Sequence, residues 1–470
     1  MLPLTLAEIA AASGGRLEGA RPGTGVTRVC TDTRALLPGD LFIGLRGDSF
    51  DGDRFAAAAA ARGAAVVVVR AETAAELDAG VARIIVDDGL VALQRLATEV
   101  RRRSAVKVVA ITGSAGKTST KDILAALLRP VARTVATWAN LNNQIGVPLT
   151  LLGIETCTEV AVVEMAMRGV GQIRDLARIA LPDVAVITNI APVHLELVGT
   201  VEDVAAAKAE VVEELQGGTA IVPAGEPLLD RHLSRFRGRV VTFGTPDADV
   251  HILEQERRLG MTHILVDVFG HRGTLDFNFT GEHYLHDAQA ALAAFMELGF
   301  RLDEAKDGAA QVAFSDLRGE VSELPGGGLL LNDAYNANPL AMTAALDHLA
   351  SLAEGRLKVA VLGDMYELGA GADAFHRAVG EQCAAAGVRL VAVGALGRDY
   401  LIGAAGERWF ATVEECIAAL PEVVPQGSAV LVKASRLLQL ERVAAALSTL
   451  GADILSGGAP SLANEEDGDA

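Results

Sequence analysis

The chain has 470 residues and carries 60 Asp and Glu against 41 Lys and Arg, which gives a formal net charge of −19. Hydrophobic residues make up 50% of the chain and charged residues 21%, a balance that excludes an intrinsically disordered protein. The acidic excess argues against nucleic acid as the main partner, because binding to a phosphate backbone depends on Lys and Arg. At about 100–200 residues per domain, this length predicts roughly two to four domains.

Cysteine usage and apolar runs indicate the compartment. The four cysteines lie far apart without CxxC or zinc-ligand spacing, so we expect reduced thiols. The first residues, MLPLTLAEIAAASGG, lack the basic and apolar regions of a signal peptide. No apolar run approaches the about 18 residues that a membrane span needs. These features predict a soluble cytoplasmic protein without a membrane span.

Three blocks follow one another along the chain, and each is predicted to be α/β. Residues 1–87 contain the short strand patterns GDLFIGL, GAAVVVV and ARIIV, separated by turn dipeptides. Residues 88–314 alternate strand patterns such as VKVVAIT and DVAVITNI with helical patterns such as GQIRDLARIA. Residues 315–456 alternate in the same way, and the acidic residues 457–470 are predicted to be disordered. Strand–helix alternation predicts parallel sheets with helices on both faces.

The strongest local motif is a glycine-containing loop between a strand pattern and a helix pattern. Two glycines, Gly113 and Gly116, let successive N–H groups converge on phosphate oxygens at the start of a helix. Lys117 would supply positive charge to the phosphates of ATP, and the Thr118 hydroxyl would bind Mg²⁺. Ile111 stands where the full phosphate-loop motif has its first glycine, so an ordinary strand–helix turn is the alternative. The predicted ATP-binding residues are Thr112, Gly113, Ser114, Ala115, Gly116, Lys117, Thr118 and Ser119.

Polar residues follow two other strand patterns. Glu164 ends the run AVVEM, and His194 follows VAVITNI in the loop APVHLE. The carboxyl ends of parallel strands are where α/β sheets place their ligands, so both are candidates for binding the metal of MgATP. A solvated loop glutamate and a structural histidine are the alternatives.

Two further candidates depend on less specific patterns. The segment NLNNQIGVP places several amides, Asn143 among them, before a helix pattern, where they either position a ligand or form a turn. Lys208 lies in VEDVAAAKAEVVEEL, which follows a predicted N-cap at Thr200 with Asp203 three residues later. Periodicity alone describes Lys208 as a surface lysine of an amphipathic helix.

Taken together, these motifs resemble a Mur ligase over nearly the whole chain. The loop ITGSAGKTST, the strand end VVEMAMRG, the segment TNIAPVHLE and the lysine of AKAE occur in the order typical of that family. NLNNQIGVPLTLL, EMAMRGVGQI, LNDAYNANP, VLGDMYELG and LVKASR are most similar to members that add D-alanyl-D-alanine to a UDP-N-acetylmuramoyl tripeptide. The segment TDTRALLPGDLFIGLRGDSFDGDRF resembles their uridine-nucleotide-binding domain, and the diaminopimelate motif Asp-Asn-Pro-Arg is absent.

The resemblance implies three domains with distinct functions. Residues 1–87 would form a small α/β domain that binds the uridine nucleotide, 88–314 a central parallel-sheet domain with the phosphate loop that binds ATP, and 315–456 a Rossmann-like α/β domain. It also implies an ATP-dependent amide ligase of peptidoglycan precursor synthesis, a monomer, that works through an acyl phosphate. The sequence identifies no general base for the incoming amine.

The resemblance also implies roles for individual residues. The catalytic set would be Lys117, Glu164, His194, Lys208 and Arg318. Two Mg²⁺ ions would be held by Thr118, Glu164, His194 and a CO₂-carbamylated Lys208. Further contacts to the nucleotide or the reacting groups would come from Asn143, His283, Arg318, Asp333, Asn336 and Asn338. The uridine diphosphate would lie near Thr31, Asp32, Thr33, Arg46 and Gly47.

At three positions the chain departs from the family pattern. Tyr284 and Asp287 replace asparagines of the segment on the adenine side, and a carboxylate at 287 cannot donate a hydrogen bond to adenine unless it is protonated. Asp53 stands where the family often carries histidine. These departures weaken a direct transfer of the family's contacts at the three positions.

Other functions fit parts of the pattern. A ligase of the same fold that adds the third residue of the peptide, or a folylpolyglutamate or cyanophycin synthetase, is the nearest alternative. The N-terminal nucleotide module and YNANP argue against it. A nucleotide-hydrolysing switch protein would share the phosphate loop but would not need the third α/β block. A purely structural role would leave the Gly-Lys-Thr loop without a function.

Overall fold

The computed structural model describes residues 1–47, 50–258, 260–404 and 408–450, so the predicted disordered tail lies outside the described residues. Two compact units divide the chain, Met1–Ser315 and a second from Asp316 onward. The predicted α/β class is confirmed. All four cysteines are free, and no helix in the described ranges combines the length and apolar composition that crossing a bilayer needs.

The N-terminal part of the first unit is a small sheet covered by helices. Its five strands run in the order β2-β7-β6-β5-β4, parallel except for β2, and a separate antiparallel pair joins β1 to β3. The predicted strands GDLFIGL, GAAVVVV and ARIIV are confirmed as β5, β6 and β7. The elements are β1 (Leu4–Thr5), α1 (Leu6–Ser13), β2 (Arg16–Glu18), β3 (Gly25–Val26), β4 (Val29–Cys30), β5 (Leu41–Ile43), α2 (Ala56–Ala61), β6 (Val66–Val69), α3 (Ala71–Glu76), β7 (Arg83–Ile85) and α4 (Gly89–Arg103).

The rest of the first unit is built on a nine-stranded sheet of order β16-β15-β14-β13-β12-β11-β8-β10-β9. The strands are β8 (Lys107–Thr112), β9 (Thr134–Ala136), β10 (Val160–Glu164), β11 (Val184–Ile187), β12 (Thr219–Pro223), β13 (Arg239–Phe243), β14 (Val250–Arg258), β15 (Met261–Val268) and β16 (His271–Phe277). The helices are α5 (Lys117–Leu128), α6 (Gly146–Leu151), α7 (Gln172–Ala180), α8 (Leu195–Val198), α9 (Val201–Glu213), α10 (Pro227–Leu233), α11 (His283–Glu297) and α12 (Lys306–Ala309).

The central strands of this sheet are buried on both faces, as the sequence predicts for a parallel sheet. In β8, Val108 and Ala110 join a core with α4, α7 and α9, while Val109 and Ile111 join a second core with α5 and α11. The parallel prediction holds from β9 to β13. β14 also pairs in parallel with β13, and the edge is then extended by the antiparallel pairs β14–β15 and β15–β16.

The second unit is a six-stranded sheet of order β17-β18-β22-β19-β20-β21, parallel except for β17. Helices pack on both faces, α13 and α14 on one and α16 and α17 on the other. Its elements are β17 (Glu320–Leu324), β18 (Gly328–Asn332), α13 (Pro339–Leu352), β19 (Lys358–Gly363), α14 (Ala372–Ala385), β20 (Arg389–Val393), α15 (Gly397–Ala404), β21 (Arg408–Phe410), α16 (Val413–Val423), β22 (Ala429–Lys433) and α17 (Glu441–Thr449).

Candidate active site

The glycine-containing loop connects β8 to α5 and is held by the residues that follow β11. Ser114 Oγ donates to the carbonyl of Ala191 at 3.0 Å, and the Ser114 N–H donates to the carbonyl of Asn189 at 3.1 Å. The Asn189 side chain forms two hydrogen bonds with Ala115, accepting from its N–H at 2.8 Å and donating to its carbonyl at 3.1 Å. These contacts hold the loop in one conformation, and a phosphate site needs such an ordered loop.

Both loop glycines sit where a side chain has no room. A Cβ on Gly113 would lie 1.8 Å from Thr188 Oγ1, and a Cβ on Gly116 would lie 2.2 Å from Asp287 Oδ1. Gly116 also has φ +76°, a left-handed conformation that glycine adopts at little cost. Asp287 therefore lies directly against the phosphate loop, although the sequence associates it only with the adenine side.

Two lysines donate to one carbonyl oxygen of this loop. Lys117 Nζ donates to the Gly113 oxygen at 2.7 Å, and Lys208 Nζ donates to the same oxygen at 2.8 Å. Lys208 lies on α9, whose capping box at Thr200 and Asp203 is as predicted, but its side chain is buried and not on the surface. Burial, with a smaller effect of the Lys117 charge, holds the pKa of Lys208 well below its ordinary value. Burial thus disfavours the charged form of the Lys208 amine.

Glu164 is the last residue of β10, beside Ile111 of β8, and is 1% exposed. Its Oε1 accepts from Asn142 Nδ2 at 2.7 Å, and its backbone N–H donates to Thr137 Oγ1 at 2.9 Å. Its Oε2 is buried with no hydrogen-bond partner among the described residues. A buried carboxylate oxygen left in this state is suited to a cation, so the alternative of a solvated loop glutamate is wrong.

The other candidates near the loop differ in how they are held. Thr118 is buried and lies in the first turn of α5. His194 is half-buried and precedes α8 with φ +54°, a left-handed conformation uncommon outside glycine. Asn143 is exposed, and its side-chain oxygen accepts from the N–H groups of Ile145 and Gly146 at 3.1 Å. The structure places His194 and Asn143 but does not test the roles predicted for them.

The start of α11 is the predicted adenine side. The His283 and Tyr284 rings lie 3.9 Å apart between centroids, and Tyr284 is buried and stacked on Phe314 at 4.2 Å. One turn on, His286 Nε2 lies 3.1 Å from the Thr188 carbonyl oxygen, and burial lowers its pKa. Tyr284 thus fills an aromatic cluster where the family pattern has an amide.

The predicted uridine-side residues lie in the N-terminal sheet region. Asp32 accepts two hydrogen bonds from Arg34 Nε at 3.0 Å and one from its Nη2 at 2.7 Å, and these bonds lower the Asp32 pKa to about 2. Thr31 and Thr33 flank it and are half-exposed, while Arg46 and Gly47 are exposed. Asp53 is buried and accepts from Arg70 Nε at 2.8 Å, so it forms an ion pair within the N-terminal region.

The C-terminal candidates belong to the second unit. The Arg318 guanidinium lies 4.0 Å from the centroid of the Tyr335 ring. Asp333 receives a hydrogen bond from the buried Lys433, which also donates to the Asn336 carbonyl at 2.9 Å. Asn338 caps α13, accepting from the Ala341 N–H at 2.9 Å.

Several residues that shape these sites were not found by sequence reasoning. Thr188 and Asn189 brace the phosphate loop, and Lys433 organises the YNANP segment from the end of β22. The available signal was position, because all three stand at or just after the carboxyl end of a strand pattern. Within the described ranges, no three His, Cys, Asp or Glu side chains form a preformed metal cluster.

We expect Gly116→Ala to weaken ADP binding at least about tenfold, because the new methyl group displaces Asp287 and distorts the loop amides. Gly171→Ala is the matched control: Gly171 also precedes a helix with positive φ, +88°, but a Cβ added there would meet no atom within 4 Å. Each variant should lose about 1–2 kcal/mol of unfolding free energy from left-handed strain. Titration calorimetry with ADP distinguishes the two variants. Equal dissociation constants for ADP would contradict the prediction that the loop around Gly116 binds its phosphates.

Comparison with known proteins gives matches over most of the chain. Residues 25–101 match the profile described as Mur ligase family, catalytic domain; residues 111–295 match the Mur ligase middle domain, and residues 318–436 match the Mur ligase, glutamate ligase domain. UDP-N-acetylmuramoyl-tripeptide–D-alanyl-D-alanine ligase of Escherichia coli is 35% identical, over 96% of this chain and 100% of its own length. The protein of that name from Bacillus subtilis is 35% identical, over 88% of this chain and 92% of its own.

Solved structures agree with this similarity. A crystal structure of MurF from Acinetobacter baumannii superposes with a TM-score of 0.86 at 31% identity, covering 95% of this chain and 99% of that one. A structure of MurF ligase from Thermotoga maritima in complex with ADP gives a TM-score of 0.81 at 28% identity, covering 91% and 99%.

Proposed function

The chain belongs to the Mur ligase family, and from that premise we propose that it joins D-alanyl-D-alanine to a UDP-N-acetylmuramoyl tripeptide at the expense of ATP. One observation in the structure carries the proposal. The phosphate loop follows β8, which pairs with β10, and the last residue of β10, Glu164, has a buried carboxylate oxygen without a partner among the described residues. A phosphate site beside a cation ligand is the arrangement that phosphoryl transfer from MgATP requires.

Mg²⁺ fits the residues that surround the loop. The buried oxygen of Glu164 is a hard anionic ligand, and Thr118 and His194 are the further candidates. When bound, Mg²⁺ would neutralise charge on the phosphates of ATP. Asn142 would hold the Glu164 carboxylate in one orientation through its 2.7 Å hydrogen bond, and Thr137 would fix the backbone beneath it.

We assign a carbamate to Lys208 in the active protein. The buried amine would attack CO₂ through its lone pair, forming an N–C bond and releasing one proton. The carbamate would place an anionic oxygen ligand for a second Mg²⁺ at a position where burial disfavours the ammonium form. The support is the burial of Lys208 and its distance of 2.8 Å from the Gly113 carbonyl of the phosphate loop.

The reaction is then an acyl transfer in two steps. The terminal carboxylate of the tripeptide attacks the γ-phosphorus, and the bond to the bridging oxygen breaks to release ADP. The amine of D-alanyl-D-alanine attacks the resulting acyl phosphate; the tetrahedral intermediate expels inorganic phosphate, and the nitrogen loses a proton. Lys117 would turn from the Gly113 carbonyl to the phosphates, while the loop amides hold them in line.

The remaining assignments follow the family pattern. We place the domain borders at 1–87, 88–314 and 315–456, with the uridine diphosphate on the first domain near Thr31–Thr33 and Arg46–Gly47. We assign His283 to the adenine side. From the third domain, Arg318, Asp333, Asn336 and Asn338 would act on the nucleotide or the reacting groups. Lys433, which fixes Asp333 and Asn336, supports their arrangement.

An ADP-release assay tests the proposed function by crossing acceptors with amine substrates. We expect turnover only with ATP, Mg²⁺, the UDP-linked tripeptide and D-alanyl-D-alanine together. L-alanyl-L-alanine is the matched control for the dipeptide, and the UDP-linked dipeptide is the control for the tripeptide. Turnover with the UDP-linked dipeptide and a single amino acid would favour the preceding ligation, and ADP release without any peptide substrate would favour a switch protein.

A further inference from the structure

The segment 312–315 ends the first unit, and three separate contacts hold it there. The Val312 carbonyl accepts from Asn278 Nδ2 at 2.9 Å. The Phe314 ring stacks on Tyr284, which adjoins His283 of the proposed adenine side. Ser315 is the last residue of the unit, and its N–H donates to Asp122 Oδ2 at 2.8 Å. These contacts therefore hold the chain against the first unit as far as Ser315, the last residue of that unit.

Lys121 and Asp122 hold the end of this segment from α5. Lys121 Nζ lies 2.7 Å from Asp122 Oδ1 and 3.3 Å from Ser315 Oγ, while Ser315 Oγ also lies 3.3 Å from Asp122 Oδ1. The Lys121 and Asp122 side chains are only 4% and 10% exposed. A buried ammonium lowers stability unless it is paired and hydrogen-bonded. Solubility therefore does not explain a lysine at position 121, and its contacts point to a structural role.

The same lysine reaches the metal side of the site. Lys121 Nζ donates to the Thr137 carbonyl at 3.1 Å, and Thr137 Oγ1 accepts from the Glu164 N–H. Lys121 also lies one helical turn after Lys117 of the phosphate loop. One buried ammonium thus joins the phosphate-loop helix, the backbone beside Glu164 and the end of the first unit.

We propose that Lys121 and Asp122 are positioning residues that anchor the junction between the two units to the ATP site. Arg318 follows Ser315 by three residues, so the anchored residue is close in sequence to the first C-terminal candidate. The contacts of the pair are with Ser315 and Thr137, and it would act through these two residues. This inference rests on the proposed function, because ligation is its principal readout.

The test is the double variant Lys121→Met/Asp122→Ala, which removes both charges and leaves no uncompensated buried ion. We expect kcat for ADP release with all substrates to fall at least about tenfold, while the dissociation constant for MgADP stays within about twofold. Hydrogen exchange should become faster at residues 312–315, which lose the acceptor of the Ser315 N–H. Lys107→Met, an exposed lysine at the other end of β8, is the control and should change none of these quantities.

Two results would overturn the anchor: a kcat within about twofold of the wild type, or MgADP binding weakened as much as kcat, which would place Lys121 in the nucleotide site. Lys121→Met/Asp122→Asn also removes both charges but keeps an oxygen for the Ser315 N–H, so it should retain more activity than Lys121→Met/Asp122→Ala. A wild-type protein that releases no ADP contradicts the proposed function alone. Hydrogen exchange then still decides, because unchanged protection of residues 312–315 in the double variant overturns the anchor.

Discussion

Lys117→Ala is expected to lower kcat for ADP release at least about 10³-fold, because the variant lacks the charge that meets the phosphates as negative charge shifts toward ADP. Lys117 Nζ already lies at the loop, where it donates to the Gly113 and Ser114 carbonyls, and it would turn from them to the phosphates. The alanine should cost little stability, because the side chain is only half-buried. A coupled assay for ADP under saturating substrates measures the effect.

Lys107→Ala is the matched control for Lys117→Ala, since Lys107 opens the same strand and its ammonium is exposed. Its kcat should equal that of the wild type. Lys117→Arg keeps the charge but not the compact ammonium, and it should recover only part of the activity. An alanine variant with wild-type turnover would remove the loop from the catalytic site.

Lys208→Met should change activity and stability in opposite directions. Activity should fall at least about 10²-fold, because the variant cannot form the proposed carbamate. The melting temperature in CO₂-free buffer should rise, because the wild type must bury an amine whose charged form is disfavoured, and methionine fills similar space without that penalty. Calorimetry and the ADP assay on the same samples measure both changes.

The stability difference should depend on pH with a defined sign. Lysine in the unfolded chain has a pKa of about 10.4, and the pKa of Lys208 in the folded protein lies well below that value. Between these two pKa values the unfolded state therefore binds more protons than the folded state. Wild-type stability from this group therefore rises with pH in that window, and the advantage of Lys208→Met shrinks toward the unfolded value. A constant difference across that window would contradict a neutral buried amine.

A rescue experiment tests the carbamate itself. Lys208→Ala leaves space at the end of the side chain, so short-chain carboxylates such as formate or acetate should restore part of the lost activity. Chloride at equal ionic strength is the control. Full activity of the alanine variant without an additive would contradict the assignment of Lys208 as a metal ligand.

Features set by neighbouring residues could be predicted from the sequence. The capping box at Thr200 and Asp203 lies within one turn, and the buried strand β8 reads directly as a β-branched run before a glycine-containing loop. The strand pattern correctly predicted that Glu164 ends a strand. Because parallel strands bring their carboxyl ends to one edge of the sheet, Glu164 lies on the same edge as the end of β8. Local chemistry and short-range periodicity were sufficient there.

Features set by distant residues could not be predicted in this way. The periodicity of α9 leaves Lys208 on a polar face, yet its partner is the Gly113 carbonyl, 95 positions away. Two other contacts also depend on how separate helices and strands pack together. They are the contact of Asp287 with Gly116 and the hydrogen bonds between Asn189 and Ala115. For Lys208 only the resemblance to a family suggested a role, and the structure adds its burial.

Isotope transfer tests the central claim, ligation through an acyl phosphate, most directly. The UDP-linked tripeptide would carry ¹⁸O in both oxygens of its terminal carboxylate, and the inorganic phosphate released with D-alanyl-D-alanine and ATP would be analysed by mass spectrometry. The mechanism predicts one ¹⁸O atom in each phosphate, because the attacking carboxylate oxygen leaves with the phosphorus. Phosphate without ¹⁸O, formed at the rate of peptide ligation, would contradict it.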